Sequence, residues 1–225
     1  MLPAYYQDGF AAIFDCSFFQ EPRFVQAYQA AEQLGGWPDP PIYVDQFGLG
    51  ATGAHWRVYI NCWAGVIGSK LEGDFVECGV NNGSTAMAVM EFVQFVTLGK
   101  QFFLMDLGYG SGQCSVKGVS NPGLIDGQKF ARFGNAVRIA RGANIFEQMT
   151  AQKVAYLAID MNDAELEITA AHHFWPRLST GAVVLLDDYG CPGHMAQKLA
   201  IDAFAHSKGT QVLSLPTGQG LIIKQ

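Results

Sequence analysis

Three carboxylates stand where two apolar runs stop. Lys153-Val-Ala-Tyr-Leu-Ala-Ile-Asp160 and Ala182-Val-Val-Leu-Leu-Asp-Asp188 both read as buried strands that end in acid. If the strands are neighbours, Asp160, Asp187 and Asp188 meet at one sheet edge, and like charges that close repel unless something positive sits between them. A hard divalent ion with oxygen ligands is the expected answer, Mg²⁺ before Ca²⁺, because zinc would also call for His or Cys. Protonation of one acid, or Arg57 or Arg141 reaching in from elsewhere, would answer the same conflict. His194 follows the second run across a Gly/Pro loop and is a candidate general base, with a first-turn helix residue as the other reading. His172 and His173 fall inside a helical stretch and read as packing or surface residues.

A second constellation is Gly73-Asp-Phe-Val-Glu-Cys-Gly-Val-Asn-Asn-Gly-Ser-Thr85, which reads as a strand, a glycine turn and a helix start capped by Ser84 or Thr85. Such a turn brings backbone N–H groups and a bare glycine face to the carboxyl end of a strand, where open α/β sheets bind nucleotides. The spacing is E-x-G-x-x-x-G, with neither the G-x-G-x-x-G order nor a P-loop lysine, so a nucleoside cofactor is expected before a pyrophosphate. Glu77, Gly79, Val80, Gly83, Ser84 and Thr85 are its candidate cofactor-binding residues. Asp106 closes the apolar run Gln101–Asp106, at the position where a second strand hydrogen-bonds ribose hydroxyls, and Gly142 turns the next strand towards the adenine side.

The elements that must hold these residues alternate. Strands over 74–78, 101–106, 137–141, 153–160 and 182–188 are interleaved with helices over 86–98, 163–175 and 194–207, and a helix over 55–69 precedes them. The tail breaks the rhythm with strand, turn and strand over 212–215, 216–220 and 221–224. This predicts an α/β fold, a doubly wound and mostly parallel sheet closed by an antiparallel hairpin. Residues 55–225 form that domain, and residues 1–54 are an aromatic-rich extension that covers the cleft, contacts a second subunit or completes the core. The glycine-rich stretch 107–127 is long enough for a lid.

Composition narrows the partners. A 225-residue chain with 49% apolar and 15% charged residues supports one large core, and a net charge of −6 without a Lys/Arg run argues against nucleic acid. Five cysteines, Cys16, Cys62, Cys78, Cys114 and Cys191, contain no C-x-x-C pair and are expected as free thiols. No signal peptide or membrane span is expected, which makes the cytoplasm the expected location and a small molecule the expected partner.

Gly73–Gly83, Leu157–Asp160, Phe174–Gly190 and Leu215–Lys224 together resemble the macrocin O-methyltransferase family, the TylF-, MycF- and NovP-like enzymes. The resemblance runs from about residue 55 to the C-terminus and is most specific in the last two blocks. It implies a class I methyltransferase fold, Rossmann-like with a seven-stranded sheet, and an O-methyltransferase that uses S-adenosyl-L-methionine and Mg²⁺ on a sugar or phenol hydroxyl. It puts Glu77, Gly79 and Gly83 on the methionine and ribose side of the donor, Asp106 on the ribose, and Asp160, Asp187 and Asp188 on the metal, with Asp160 or His194 as base. The chain departs from the family where many relatives read D-G-D and it reads Asp160-Met-Asn162, and where many read D-[ST]-F and it reads Asp106-Leu-Gly108.

Two other classes share part of this pattern. An NAD(P)-dependent oxidoreductase would use the same sheet, but with a G-x-G-x-x-G turn and a Tyr-x-x-x-Lys relay. A non-catalytic nucleoside-binding module would need Glu77 and Gly79 but no cluster of Asp160, Asp187 and Asp188.

Overall fold

The computed structural model describes residues 5–7, 10–12, 15–37, 54–106, 125–142, 144–191 and 193–225. Residues 107–124 of the expected lid, 38–41 of the Gly/Pro stretch and Pro192 lie outside the described residues.

The chain opens with a short antiparallel pair, β1 (Tyr5–Gln7) and β2 (Phe10–Ala12), followed by α1 (Pro22–Glu32) and α2 (His55–Ser69). Then come β3 (Asp74–Cys78), α3 (Ser84–Phe92), β4 (Phe102–Asp106), β5 (Val137–Arg141), β6 (Val154–Ile159) and α4 (Ala164–Phe174). β7 (Leu178–Leu186), α5 (Met195–Ser207), β8 (Leu213–Ser214) and β9 (Gly220–Ile223) complete it. One seven-stranded sheet has the order β5-β4-β3-β6-β7-β9-β8. Its first five strands are parallel, and β9 pairs antiparallel with both β7 and β8. The predicted fold class is therefore the observed one.

Local chemistry explains most boundaries. β6 is buried along its whole length, as a central parallel strand covered on both faces must be, hence its unbroken apolar run. α4 starts because Asp163 Oδ1 accepts the N–H groups of Glu165 and Leu166, both at 3.0 Å. Glu165 and Glu167 in its first turn and His172 and His173 in its last suit the helix dipole.

Two expectations need correction. The helix expected over 86–98 stops at Phe92, because Gln94 turns into the left-handed region (φ 52°) and the rest becomes a 3-10 turn, Phe95–Thr97. Ser84 does not cap α3 through its side chain: Gly83 is the cap residue, at φ 87°.

The core has one layer on each face of the sheet. On one face α1, α2 and α3 bury Phe24, Phe75, Phe102 and Tyr156, with Phe75 and Tyr156 stacked at 5.0 Å and the Tyr156 hydroxyl donating to Asn61 Oδ1 at 2.7 Å. On the other, α4 and α5 cover Val76, Leu157, Val184 and Ile222. Phe24, Ala27, Tyr28 and Ala31 of α1 belong to the first layer, so this part of the extension completes the core.

Candidate functional site

Register brings the candidate residues to one level. Cys78 is opposite Ile159 and Ile159 opposite Leu186, so Gly79, Asp160 and Asp187 leave three adjacent strands together. The strands stay laced to their ends: Asp160 N–H donates to Cys78 O at 2.8 Å and Asp187 N–H to Ile159 O at 3.0 Å. At Gly79 (φ +89°) a Cβ would lie 1.7 Å from Asp160 O, so backbone against backbone excludes any side chain.

The turn spends its N–H groups differently from the expectation. Gly79 and Val80 both donate to Met105 O, at 2.8 and 3.2 Å, and Gly83 donates to Val80 O at 2.9 Å. Ser84 is buried and gives its hydroxyl to Gly36 O at 2.8 Å and Ala31 O at 3.2 Å, while Thr85 Oγ1 accepts from Trp37 Nε1 at 3.3 Å. Asn82 joins this latch, its side-chain amide donating to Gly36 O at 2.7 Å. Ser84 and Thr85 thus tie the turn to the end of α1, where the sequence reading had given them to a cofactor.

What the turn does present is a carboxylate. Glu77 is 4% exposed, and its Oε2 has no hydrogen-bond partner among the described residues. Burial, with Asp187 adding to it, pushes the Glu77 carboxyl up to about 8. Beside it Asp106 ends β4, and its carbonyl accepts the Gly142 N–H at 3.3 Å. At Gly142, with φ +85°, no described residue comes within 4 Å of where a Cβ would be. Glu77, Gly79, Asp106 and Gly142 therefore line the carboxyl ends of β3, β4 and β5. A buried acid with one unpartnered oxygen beside the glycine turn fits the cationic, hydroxylated donor that the resemblance implies.

At the β6 and β7 ends the charge conflict is answered by an arginine. Arg57, on α2, places Nη1 2.5 Å from Asp187 Oδ2 and 3.6 Å from Asp188 Oδ1, with Nη2 3.1 Å from Cys191 Sγ. Asp187 foremost raises the Arg57 pKa above its ordinary value. The other Asp187 oxygen accepts from Gln219 Nε2 at 2.9 Å, and Gln219 is fully buried in the β8–β9 turn. Asp160 Oδ1 accepts from Asn162 Nδ2 at 3.1 Å. Burial first, then Asp187, raises the Asp160 carboxyl, and the same two causes raise Asp188 against the pull of Arg57. Arg141 turns elsewhere, donating to Ile125 O.

His194 Nδ1 lies 3.7 Å from Asp188 Oδ2 and 2.7 Å from Gln197 Nε2. Glu167 Oε1 accepts the N–H groups of Met161 and Asn162 at 3.2 and 3.1 Å, fixing Asn162 in its left-handed turn (φ 55°). Burial lifts the Glu167 carboxyl to about 7 against the pull of these N–H groups. The sequence reading missed Gln219, Gln197 and Glu167. Glu167 alone carried a signal, as an acid at the first turn of a helix that follows the acidic strand.

For the expected Mg²⁺ the fit is poor. Among the described residues no three His, Cys, Asp or Glu side chains are grouped to hold a metal ion. Both Asp187 oxygens are taken by Arg57 and Gln219, and the guanidinium occupies the place where the cation was expected.

No protein-family model and no curated relative match the sequence. Solved structures do. The chain is similar to the O-methyltransferase NovP, with a TM-score of 0.66 at 16% identity over 94% of this chain and 100% of that one. It is also similar to the calicheamicin methyltransferase CalS11, with a TM-score of 0.57 at 12% identity over 90% and 93% of the two chains. A third likeness is to TomG of Streptomyces achromogenes, an O-methyltransferase involved in tomaymycin synthesis and solved in complex with SAM, with a TM-score of 0.54 at 11% identity over 94% and 96%. The fold is that of the class I methyltransferases.

Proposed function

We propose that the chain is an S-adenosyl-L-methionine-dependent O-methyltransferase acting on a hydroxyl of a small molecule, a sugar or phenol of natural-product type as in the macrocin-like family. The observation that carries this reading is Glu77, a buried carboxylate with one unpartnered oxygen at the glycine turn of a class I methyltransferase sheet. The resemblance of the sequence blocks to the macrocin-like family and the likeness to NovP support it.

In this reading Glu77 receives the donor's cationic end, Asp106 accepts from its ribose hydroxyls, and the turn from Gly79 through Val80 to Gly83 borders its body beside the open face of Gly142. S-adenosyl-L-methionine, when bound, supplies an electrophilic methyl on a sulfonium. The strand ends of β6 and β7 hold the acceptor so that its oxygen faces that methyl in line with the S–C bond. The acceptor proton passes to Asp160 or to His194. With the donor bound, the C–O bond would form as the S–C bond breaks, leaving S-adenosylhomocysteine.

Calorimetry with S-adenosylhomocysteine, and with NAD⁺ as control, tests the donor. Binding of the first and not the second is expected, with affinity lost in Glu77→Gln. Binding of NAD⁺ alone would put the oxidoreductase in its place.

A further inference from the structure

We propose that Arg57 is the resident cation of the acceptor end, filling by a side chain the charge role that a divalent ion was expected to fill there. The inference rests on the methyltransferase reading for what the site is used for, and on geometry alone for the charge role.

Three acids leave two adjacent strand ends, and such a cluster needs a counter-charge. Arg57 supplies it from α2, close to Asp187 and within ion-pair range of Asp188. It is held there: the helix that carries it is anchored by Asn61, whose side-chain amide donates to Arg57 O at 3.0 Å and whose Oδ1 accepts from buried Tyr156. Gln219 closes the other side of Asp187, and Thr217 Oγ1 in turn fixes the Gln219 amide at 3.0 Å. A hard ion seeking oxygen ligands would have to expel a guanidinium and a buried amide from one carboxylate before it could bind. The guanidinium is a fixed fork of donors that keeps its charge at any working pH. The acceptor then needs one hydroxyl and no second oxygen to complete a coordination shell. Arg57 is a positioning residue: it sets the charge and orientation of Asp187 and Asp188, which face the acceptor.

The test is a Mn²⁺ titration followed by electron paramagnetic resonance, with and without S-adenosylhomocysteine, on the wild-type chain, Arg57→Gln, Arg57→Lys, Asp187→Asn and Arg57→Gln/Asp187→Asn. The wild type should show no stoichiometric Mn²⁺ site. Arg57→Gln, with the counter-charge gone, should gain about tenfold or more in Mn²⁺ affinity, the scale of one opposite charge at this range. Arg57→Lys should keep the wild-type behaviour, and the added Asp187→Asn should erase the gain. A purely structural role for Arg57 would not produce a gain that Asp187→Asn erases. A tight single Mn²⁺ site in the wild type, removed by Asp187→Asn, would overturn the proposal even if no Arg57 variant folded. So would a folded Arg57→Gln with no gain. Loss of S-adenosylhomocysteine binding in the wild type would instead count against the methyltransferase reading and leave the Mn²⁺ result standing.

Discussion

Arg57 Nη1 and Asp187 Oδ2 lie 2.5 Å apart, although 130 positions separate them in the chain. The pair joins the helix before the first parallel strand to the end of the last one. Both side chains are mostly shielded from water, so breaking the pair from one side leaves a charge that the fold must still accommodate.

Arg57→Met should therefore lower stability by about 2 kcal/mol, and Asp187→Asn should cost less in that background than in the wild type, with a coupling of about 1 to 3 kcal/mol. Urea unfolding of the four proteins of the cycle measures it. Additive effects would mean that the contact contributes nothing.

Glu77 sets a pH dependence. Its carboxyl titrates at about 8 in the folded chain against an ordinary value of 4.5, so the folded state holds the extra proton between those values. Its contribution to stability is full below the lower value and is lost as pH rises towards the upper one. Glu167, at about 7, acts in the same direction. Urea midpoints should fall between about pH 6 and about pH 8.5, and less steeply in Glu77→Gln. A wild-type midpoint that climbs over this range would refute the assignment.

The same protonation has a signature in binding. A cationic donor beside Glu77 favours the ionised carboxylate, so binding near neutral pH should release a proton. Heats of S-adenosyl-L-methionine binding measured in buffers of different ionisation enthalpy should differ for the wild type and coincide for Glu77→Gln.

Gly79→Ala should cost about 3 kcal/mol or more, because its methyl would sit on the Asp160 carbonyl with φ in the left-handed region. Thermal melting should show this before any binding assay does. A variant that melts like the wild type and has merely lost donor affinity would show that the turn shifts freely.

Asp106→Ala should weaken donor binding by about 1 to 3 kcal/mol, the scale of charge-assisted hydrogen bonds left unmade. A donor analogue lacking the ribose hydroxyls should bind the wild type and the variant alike.

The sheet was legible because each inner strand is a short apolar run bounded by glycine or acid. Asp160, Asp187 and Asp188 were legible as a group for the same reason. Their counter-charge was not: Arg57 sits on the polar side of a helix, and nothing local says that this side faces the sheet's end. Ser84 looked like a cap because hydroxyl residues before an apolar run usually are. Gly83, however, already takes the cap position, and the hydroxyl turns to carbonyls some fifty residues away, at Gly36 and Ala31. Gln219 was hidden in a turn whose composition explains itself without a ligand.

The near-contact of Gly79 and Asp160 has a mechanical meaning. In the proposed reaction the donor rests on one of these two backbones and the acceptor on the other, and no side chain separates them to serve as a spacer. The gap across which a methyl travels is then machined into the main chain, with a tolerance set by strand pairing. A descendant of this protein could trade one acceptor for another by reshaping the walls around the strand ends, but it would inherit the stroke length unchanged.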